Sequence, residues 1–218
     1  MALSCVLFDL DGTLTDPYEG ITKSIQYALE RMGVAVADRR ELAEMIGPPL
    51  RDSFMARYGM TGEQAEAALA HYRVYFGQTG LYENRVYPGV PEMLGRLKGA
   101  GLRLALCTTK PELYARRILT HFGLDGFFDA VGGPQLDGTH DQKSELMAHM
   151  IASGQADAPE RCLMVGDRRF DVEAASANGV AALGVSYGYG SLEELNACGP
   201  RAIVDSPAAA ADWIMGRR

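Results

Sequence analysis

The apolar run from Cys5 ends in Asp9-Leu10-Asp11-Gly12, which sets two carboxylates at i and i+2. Alternate residues of a strand point the same way, so Asp9 and Asp11 leave its carboxyl end together, where open parallel sheets place their ligands. Two such charges ~4 Å apart repel by about 1 kcal/mol in water and about 4 kcal/mol at an effective dielectric of 20. A cation, a shared proton or separation must relieve them; an Asp-Gly turn beside a solvated acid is the alternative. A second pair, Asp167 and Asp171, follows the run Cys162-Leu-Met-Val-Gly166. The i, i+4 spacing puts both on one side of the first turn of a helix, where the dipole favours anions. Alone they read as helix-cap acids. Two strand ends with two carboxylates each, and no His or Cys among them, suit a hard cation, Mg²⁺.

Two further pieces fit an anionic substrate. The run Leu102 to Cys107 ends in Thr108-Thr109, hydroxyls and turning amides at a third strand end, with Lys110-Pro111 opening a helix. Lys143 stands at a helix start, against the dipole, which is uncommon without an anionic partner. A solvated lysine is the alternative.

Other chemistries fail on order or spacing. Gly184-Val-Ser-Tyr-Gly188 matches a nucleophile elbow, but His71, His121, His140 and His149 all precede Ser186, whereas that hydrolase order needs the His after the Ser. Asp9-Leu-Asp11-Gly12 departs from a calcium loop at the third ligand position, Thr13. No P-loop, no dinucleotide fingerprint after the first strand and no paired-cysteine metal site is present.

These residues need elements to position them. Short continuous apolar runs at Cys5–Leu10, Leu102–Cys107, Cys162–Val165, Val180–Val185 and Ala202–Val204 alternate with helical patterns, as a parallel sheet covered on both faces requires. Residues 15–83 hold no convincing strand. Ile21, Ile25, Ala28, Leu29 and Met32 form one helical stripe, Leu50, Phe54 and Tyr58 a second, and Ala68, Leu69, Tyr72, Tyr75 and Phe76 a third. Thr61-Gly-Glu-Gln64 reads as a capping box, and Ser206-Pro207 as the cap and first residue of a terminal helix. The expected fold is α/β, with a Rossmann-like parallel core over 1–14 and 85–218, helices on both faces, and a small α-helical cap subdomain inserted over 15–84. Helices packed directly on the sheet as one domain are the alternative.

Composition sets the class. The chain of 218 residues is 47% hydrophobic, enough for a core without staples. A net charge of −7 with no basic run disfavours a nucleic-acid polymer or an anionic membrane as partner. Cys5, Cys107, Cys162 and Cys198 form no C-x-x-C pair and read as small core residues in a reducing compartment. With no signal-peptide pattern and no long apolar span, a cytoplasmic location is expected.

In order and spacing these motifs resemble the haloacid dehalogenase superfamily of phosphohydrolases. Asp9-Leu-Asp-Gly-Thr-Leu-Thr-Asp16 is similar to motif I of that family, Thr108 to the Ser/Thr of motif II, Lys143 to the motif III lysine, and Gly166-Asp167 with Asp171 to motif IV. The helical insertion lies where the family's type 1 cap belongs. Ile46-Gly-Pro-Pro-Leu50 and Leu136-Asp-Gly-Thr139 look most like the 5′-nucleotidase-like or phosphoglycolate phosphatase-like subgroup, although His140 stands where that subgroup has Arg.

The resemblance implies a Mg²⁺-dependent phosphatase that hydrolyses a small phosphomonoester through an aspartyl-phosphate. Asp9 would be the nucleophile and Asp11 the general acid and base. Thr108 and the amides of Leu10, Asp11 and Thr109 would bind phosphoryl oxygens, with Lys143 as counter-charge. Mg²⁺ would be held by the Asp9 carboxylate, the Asp11 carbonyl, Asp167 and, directly or through water, Asp171. Lys23, Arg51 and the Gly47-Pro48-Pro49 loop would face the leaving group. A general acid at Asp11 argues against dehalogenation, because a halide leaves without a proton. A phosphosugar mutase and a non-catalytic binding or regulatory protein on the same fold stay open. The expected partner is a small-molecule phosphate ester; monomer and homodimer are both compatible.

Overall fold

The computed structural model describes residues 2–217. Strand β1, Cys5–Phe8, is wholly buried, as its unbroken apolar run requires. A two-residue strand β2, Thr15–Asp16, follows, then helices α1 (Tyr18–Arg31), α2 (Leu50–Tyr58) and α3 (Gly62–Tyr75). The second half alternates strictly: β3 (Arg85–Val86), α4 (Val90–Gly99), β4 (Arg103–Cys107), α5 (Glu112–His121), β5 (Ala130–Gly132), α6 (Lys143–Ala152), β6 (Cys162–Gly166), α7 (Arg169–Ala177), β7 (Ala181–Val185), α8 (Leu192–Cys198), β8 (Ala202–Val204) and α9 (Pro207–Met215).

Six strands form one sheet in the order β5-β4-β1-β6-β7-β8, every pair parallel. Chain order reverses on the two sides of β1, so its carboxyl end lies at the switch point where such sheets open a crevice. The register is what assembles the site: Phe8 pairs with Leu106 of β4 and with Val165 of β6. The residues leaving these three strands therefore emerge side by side. Cys5, Leu7, Ala105, Cys107, Cys162 and Met164 pack with Leu146, Met147 and Met150 of α6 and Val172 and Ala175 of α7 on one face. Val6, Phe8, Leu104 and Leu106 are equally buried on the other.

The contacts divide the chain into two compact units, 1–16 with 86–218, and Pro17–Arg85. In the second, α1 and α2 both pack on α3, and α3 opens on the Thr61/Gln64 capping box. Its buried stripe is Ala65, Ala68, Tyr72 and Phe76, which leaves Leu69 and Tyr75 only half-buried, a small rotation from the expected face. A short helical turn over Arg39–Met45 buries Leu42 and Met45, which the periodicity did not mark.

Three other elements depart from expectation. β1 stops at Phe8, two residues early, because the chain already turns at Leu10. β2 occupies two residues where no strand was expected, and β5 has only Ala-Val-Gly, too short for a recognisable run. No helix among the described residues is long and apolar enough to cross a membrane. Cys5, Cys107 and Cys162 are buried free thiols, and Cys198 is half-buried at the end of α8.

Candidate active site

Asp9 is anchored as the first residue beyond β1 by its own N–H, which donates to the Val165 carbonyl at 3.0 Å. The Leu10 carbonyl then accepts from the amides of Thr13, Leu14 and Thr15, closing a tight turn. Gly12 sits in that turn at φ +84°, a left-handed conformation, with no room for a Cβ against the Asp167 carboxylate. The amides of Asp9 and Gly12 are committed to the Val165 and Thr15 carbonyls; those of Leu10 and Asp11 make no backbone hydrogen bond among the described residues.

Asp9, Asp167 and Asp171 are all buried, and one carboxylate oxygen from each lies within 4.8 Å of the others. Lys143, the first residue of α6, is buried among them, 3.0 Å from Asp9 Oδ1 and hydrogen-bonded to Asp171 Oδ1. The lysine at the start of α6 thus has its anionic partners and is not a solvated surface charge. Burial pushes its ammonium down, but the Asp171 and Asp9 charges outweigh this and hold it above its ordinary range.

The carboxylates show the opposite strain. Burial pushes Asp167 up to about 8, with the Asp171 and Asp9 charges adding to it. Burial raises Asp171 to about 6 against the pull of Lys143. With all three carboxylates ionised, one ammonium would leave two negative charges uncompensated in a dry site, and Asp9 Oδ1 has no hydrogen-bond donor among the described residues. The donor set, all oxygen, and the charge deficit both fit a hard divalent cation.

A pH dependence follows from these shifts. Both carboxyls keep their protons to higher pH when folded than at their ordinary value of 3.8, so above about pH 5, where the lowered Asp129, Asp157 and Glu194 are ionised in both states, these two make the folded metal-free chain bind more protons than the unfolded one. Its stability must therefore fall as pH rises from about 5 through 8. In EDTA the Tm is expected to drop between about pH 5 and pH 8.5, and saturating Mg²⁺ to flatten the slope. An EDTA profile that is flat or rising over that range would contradict the crowding.

Asp11 stands apart from the three-carboxylate group. Its Oδ2 lies 2.7 Å from Lys110 Nζ, with Lys110 buried and the Asp11 side chain still 12% exposed, while its Oδ1 has no hydrogen-bond donor among the described residues. Burial raises the Asp11 carboxyl, Lys110 pulls it back and Asp9 adds to the rise. Thr108, buried at the end of β4, donates its N–H to Gly132 O and accepts the Lys110 N–H on Oγ1 at 3.2 Å, which fixes the turn that aims Lys110 inward. Thr109 follows, half-buried. Lys110 is a site residue that the sequence reading passed over; its signal was a lysine between a strand-end Thr-Thr and Pro111.

Lys23 and Arg51 belong to the helical unit, each in an ion pair there: Lys23 with Glu83 at 2.6 Å, Arg51 with Glu66 at 2.8 Å. His140 has φ +62° and stacks on His149 with ring centroids 4.5 Å apart. Ser186 donates to Val204 O at 3.3 Å, a structural bond between loop and strand.

Fold and site together define an α/β protein with a parallel, Rossmann-like sheet and a buried carboxylate and lysine centre. The family model for haloacid dehalogenase-like hydrolases matches residues 6–185, and the chain belongs to that family. It is 51% identical over 195 residues to a 5′-nucleotidase of Pseudomonas aeruginosa, across 89% of this chain and 88% of that protein. It is 35% identical over 220 residues to a phosphoglycolate phosphatase of Rhodospirillum rubrum, across 96% and 90%. Tyrosine-protein kinase PtkA of Mycobacterium tuberculosis is 40% identical over 188 residues, 86% of this chain but 64% of that one. The crystal structure of a "predicted phosphatase" from Clostridium acetobutylicum superposes with a TM-score of 0.96 at 40% identity, covering 99% of this chain and 100% of that one. The chain is a phosphoric monoester hydrolase of this family.

Proposed function

We propose that the chain is a Mg²⁺-dependent phosphatase that releases phosphate from a small phosphomonoester, of the nucleoside 5′-monophosphate or phosphoglycolate type, through an aspartyl-phosphate on Asp9. The observation that carries this is the pairing of two unequal carboxylates at one strand end. Asp9 is held in an anionic cluster with a lysine, and Asp11 is raised by burial beside it with one oxygen that has no donor among the described residues. Two carboxyls in different environments divide into nucleophile and proton carrier.

In the first half-reaction an Asp9 oxygen attacks phosphorus, the ester P–O bond breaks, and Asp11 gives its proton to the leaving oxygen. In the second, Asp11 takes a proton from water as that water attacks phosphorus, which frees Asp9 and inorganic phosphate. Asp11 ends the cycle as it began. Asp9, Asp167 and the Asp11 carbonyl would hold Mg²⁺, with Asp171, already bonded to Lys143 and to the Arg168 amide, direct or through water. The ion supplies charge neutralisation for a dianionic ester facing carboxylates. Lys143 contributes the remaining positive charge, and Thr108 with the amides of Leu10, Asp11 and Thr109 binds the phosphoryl oxygens.

The helical unit would act as the cap and the chain would work in the cytoplasm. The relatives named 5′-nucleotidase and phosphoglycolate phosphatase support the two substrate types. The test is phosphate release from nucleoside monophosphates, phosphoglycolate and sugar phosphates, with Mg²⁺ or EDTA. Release that needs Mg²⁺ supports the reading and ranks the esters; a folded, Mg²⁺-binding chain that releases none overturns it.

Lys23 and Arg51 are proposed to face the leaving group even though both are ion-paired. Ala at each is expected to raise KM several-fold on the best ester while costing under about 1 kcal/mol of stability, since both pairs are solvent-accessible. Unchanged KM across the panel would remove both from the site.

A further inference from the structure

The Gly184–Gly188 motif, which fails as a nucleophile elbow, leads into a loop with another use. Between β7 and α8, Ser186–Gly190 is seated on the turn that follows β1. The Tyr189 N–H donates to Asp167 Oδ2 at 2.8 Å, and Thr13 Oγ1 donates to Asp167 Oδ1 at 3.1 Å. The Tyr187 hydroxyl in turn donates to the Thr13 carbonyl at 2.9 Å. Tyr189 carries its own hydroxyl to Asp16 Oδ1, and the Tyr187 ring meets Tyr87 edge-on with centroids 5.1 Å apart. A Cβ on Gly188 would fall on the Gly12 carbonyl and the Asp167 side chain, so this approach admits only glycine.

We propose that this loop is a clasp in which Tyr187 and Tyr189 are positioning residues, holding Asp167 and the chain crossing Thr13–Asp16 in one arrangement. It rests on the reading of Asp167 as a Mg²⁺ ligand. Each Asp167 oxygen has one side-chain or backbone donor among the described residues, from Tyr189 on one side and Thr13 on the other. Thr13 is fixed by Tyr187, and Asp16, three residues on, by Tyr189. Orientation of the carboxylate and geometry of the crossing are thus set by the same five-residue loop. Partners that orient a metal ligand are typically worth roughly 10–100-fold in metal affinity.

The test uses the full chain with Tyr187→Phe and Tyr189→Phe, each of which removes one hydroxyl. Mg²⁺ affinity is read by calorimetry, amide hydrogen exchange over 13–16 with and without Mg²⁺, and kcat and KM on the best ester. In the wild type Mg²⁺ is expected to slow exchange over 13–16. Tyr187→Phe should weaken Mg²⁺ by about 10-fold and lower kcat with KM within about twofold. Tyr189→Phe should lose the Mg²⁺-dependent protection of 13–16. Asp16→Ala should reproduce that loss, whereas Asp16→Asn, which keeps the acceptor, and Ser186→Ala, in the same loop, should match the wild type. Tyr→Phe variants that bind Mg²⁺ and protect 13–16 as the wild type does would overturn the clasp while the phosphatase stands. A wild type that binds no Mg²⁺ would overturn both.

Discussion

Asp9→Asn is expected to fold, to be more stable than the wild type in EDTA, and to release phosphate at least about 10⁴-fold more slowly with Mg²⁺ present. The two effects have one cause. The amide is no nucleophile toward phosphorus, so the covalent step is lost. It also removes one of three crowded negative charges, so the metal-free fold is relieved of repulsion that Lys143 only partly offsets. The Asn oxygen is a weaker ligand, so Mg²⁺ should raise the Tm of the variant less than that of the wild type. Phosphate release and melting curves with Mg²⁺ or EDTA check all three expectations. Activity within tenfold of the wild type would remove Asp9 as nucleophile.

Lys143→Met has the largest expected effect on stability. Methionine fills a similar volume but leaves Asp9 and Asp171, both buried, without their shared cation. Removing one partner from a buried charge group costs about 3–5 kcal/mol, because the remaining charges stay dry and unpaired. The loss should be largest near pH 8 and smaller near pH 5. Without the ammonium the folded carboxyls rise further, and protonation below those raised values discharges the cluster. Denaturant unfolding at the two pH values measures this. Activity should fall by about 10²–10³-fold as well, through loss of a preorganised positive charge. Stability within about 1 kcal/mol of the wild type at pH 8 would show that the ammonium does not balance the cluster.

What was legible in the sequence and what was not divides on a physical line. β1, β4, β6 and β7 announced themselves because a strand buried on both faces must be an unbroken apolar run, and the acids at the ends of β1 and β6 stood out against it. Asp9, Asp167, Asp171 and Lys143 were legible for the same reason: their types conflict with their local surroundings unless they meet each other. Lys110 also opens a helix, but it lies one residue outside the Pro111 cap, and its partner Asp11 is fixed only by the β1/β4 register. Tyr187 and Tyr189 likewise look like loop aromatics, and their partners Thr13, Asp16 and Asp167 are far off in sequence. β5 stayed hidden because three residues carry no periodicity, and its place depends on pairing with β4.

The position of β1 at the middle of the sheet shapes how the chain must fold. Strand β1 has both of its neighbours, β4 and β6, much later in sequence, with Cys5 opposite Arg103 and Cys162. Non-local parallel pairing of this kind is slow, because the loop-closure entropy is lost before the contacts form. The helical unit, contiguous over 17–85, packs α1 and α2 on α3 within a far shorter stretch of chain. During synthesis β1 therefore waits as an exposed apolar segment until β4 emerges, and Asp9 at its end meets Asp167 and Asp171 only when β6 and α7 arrive. Until then that apolar segment is open to off-pathway association.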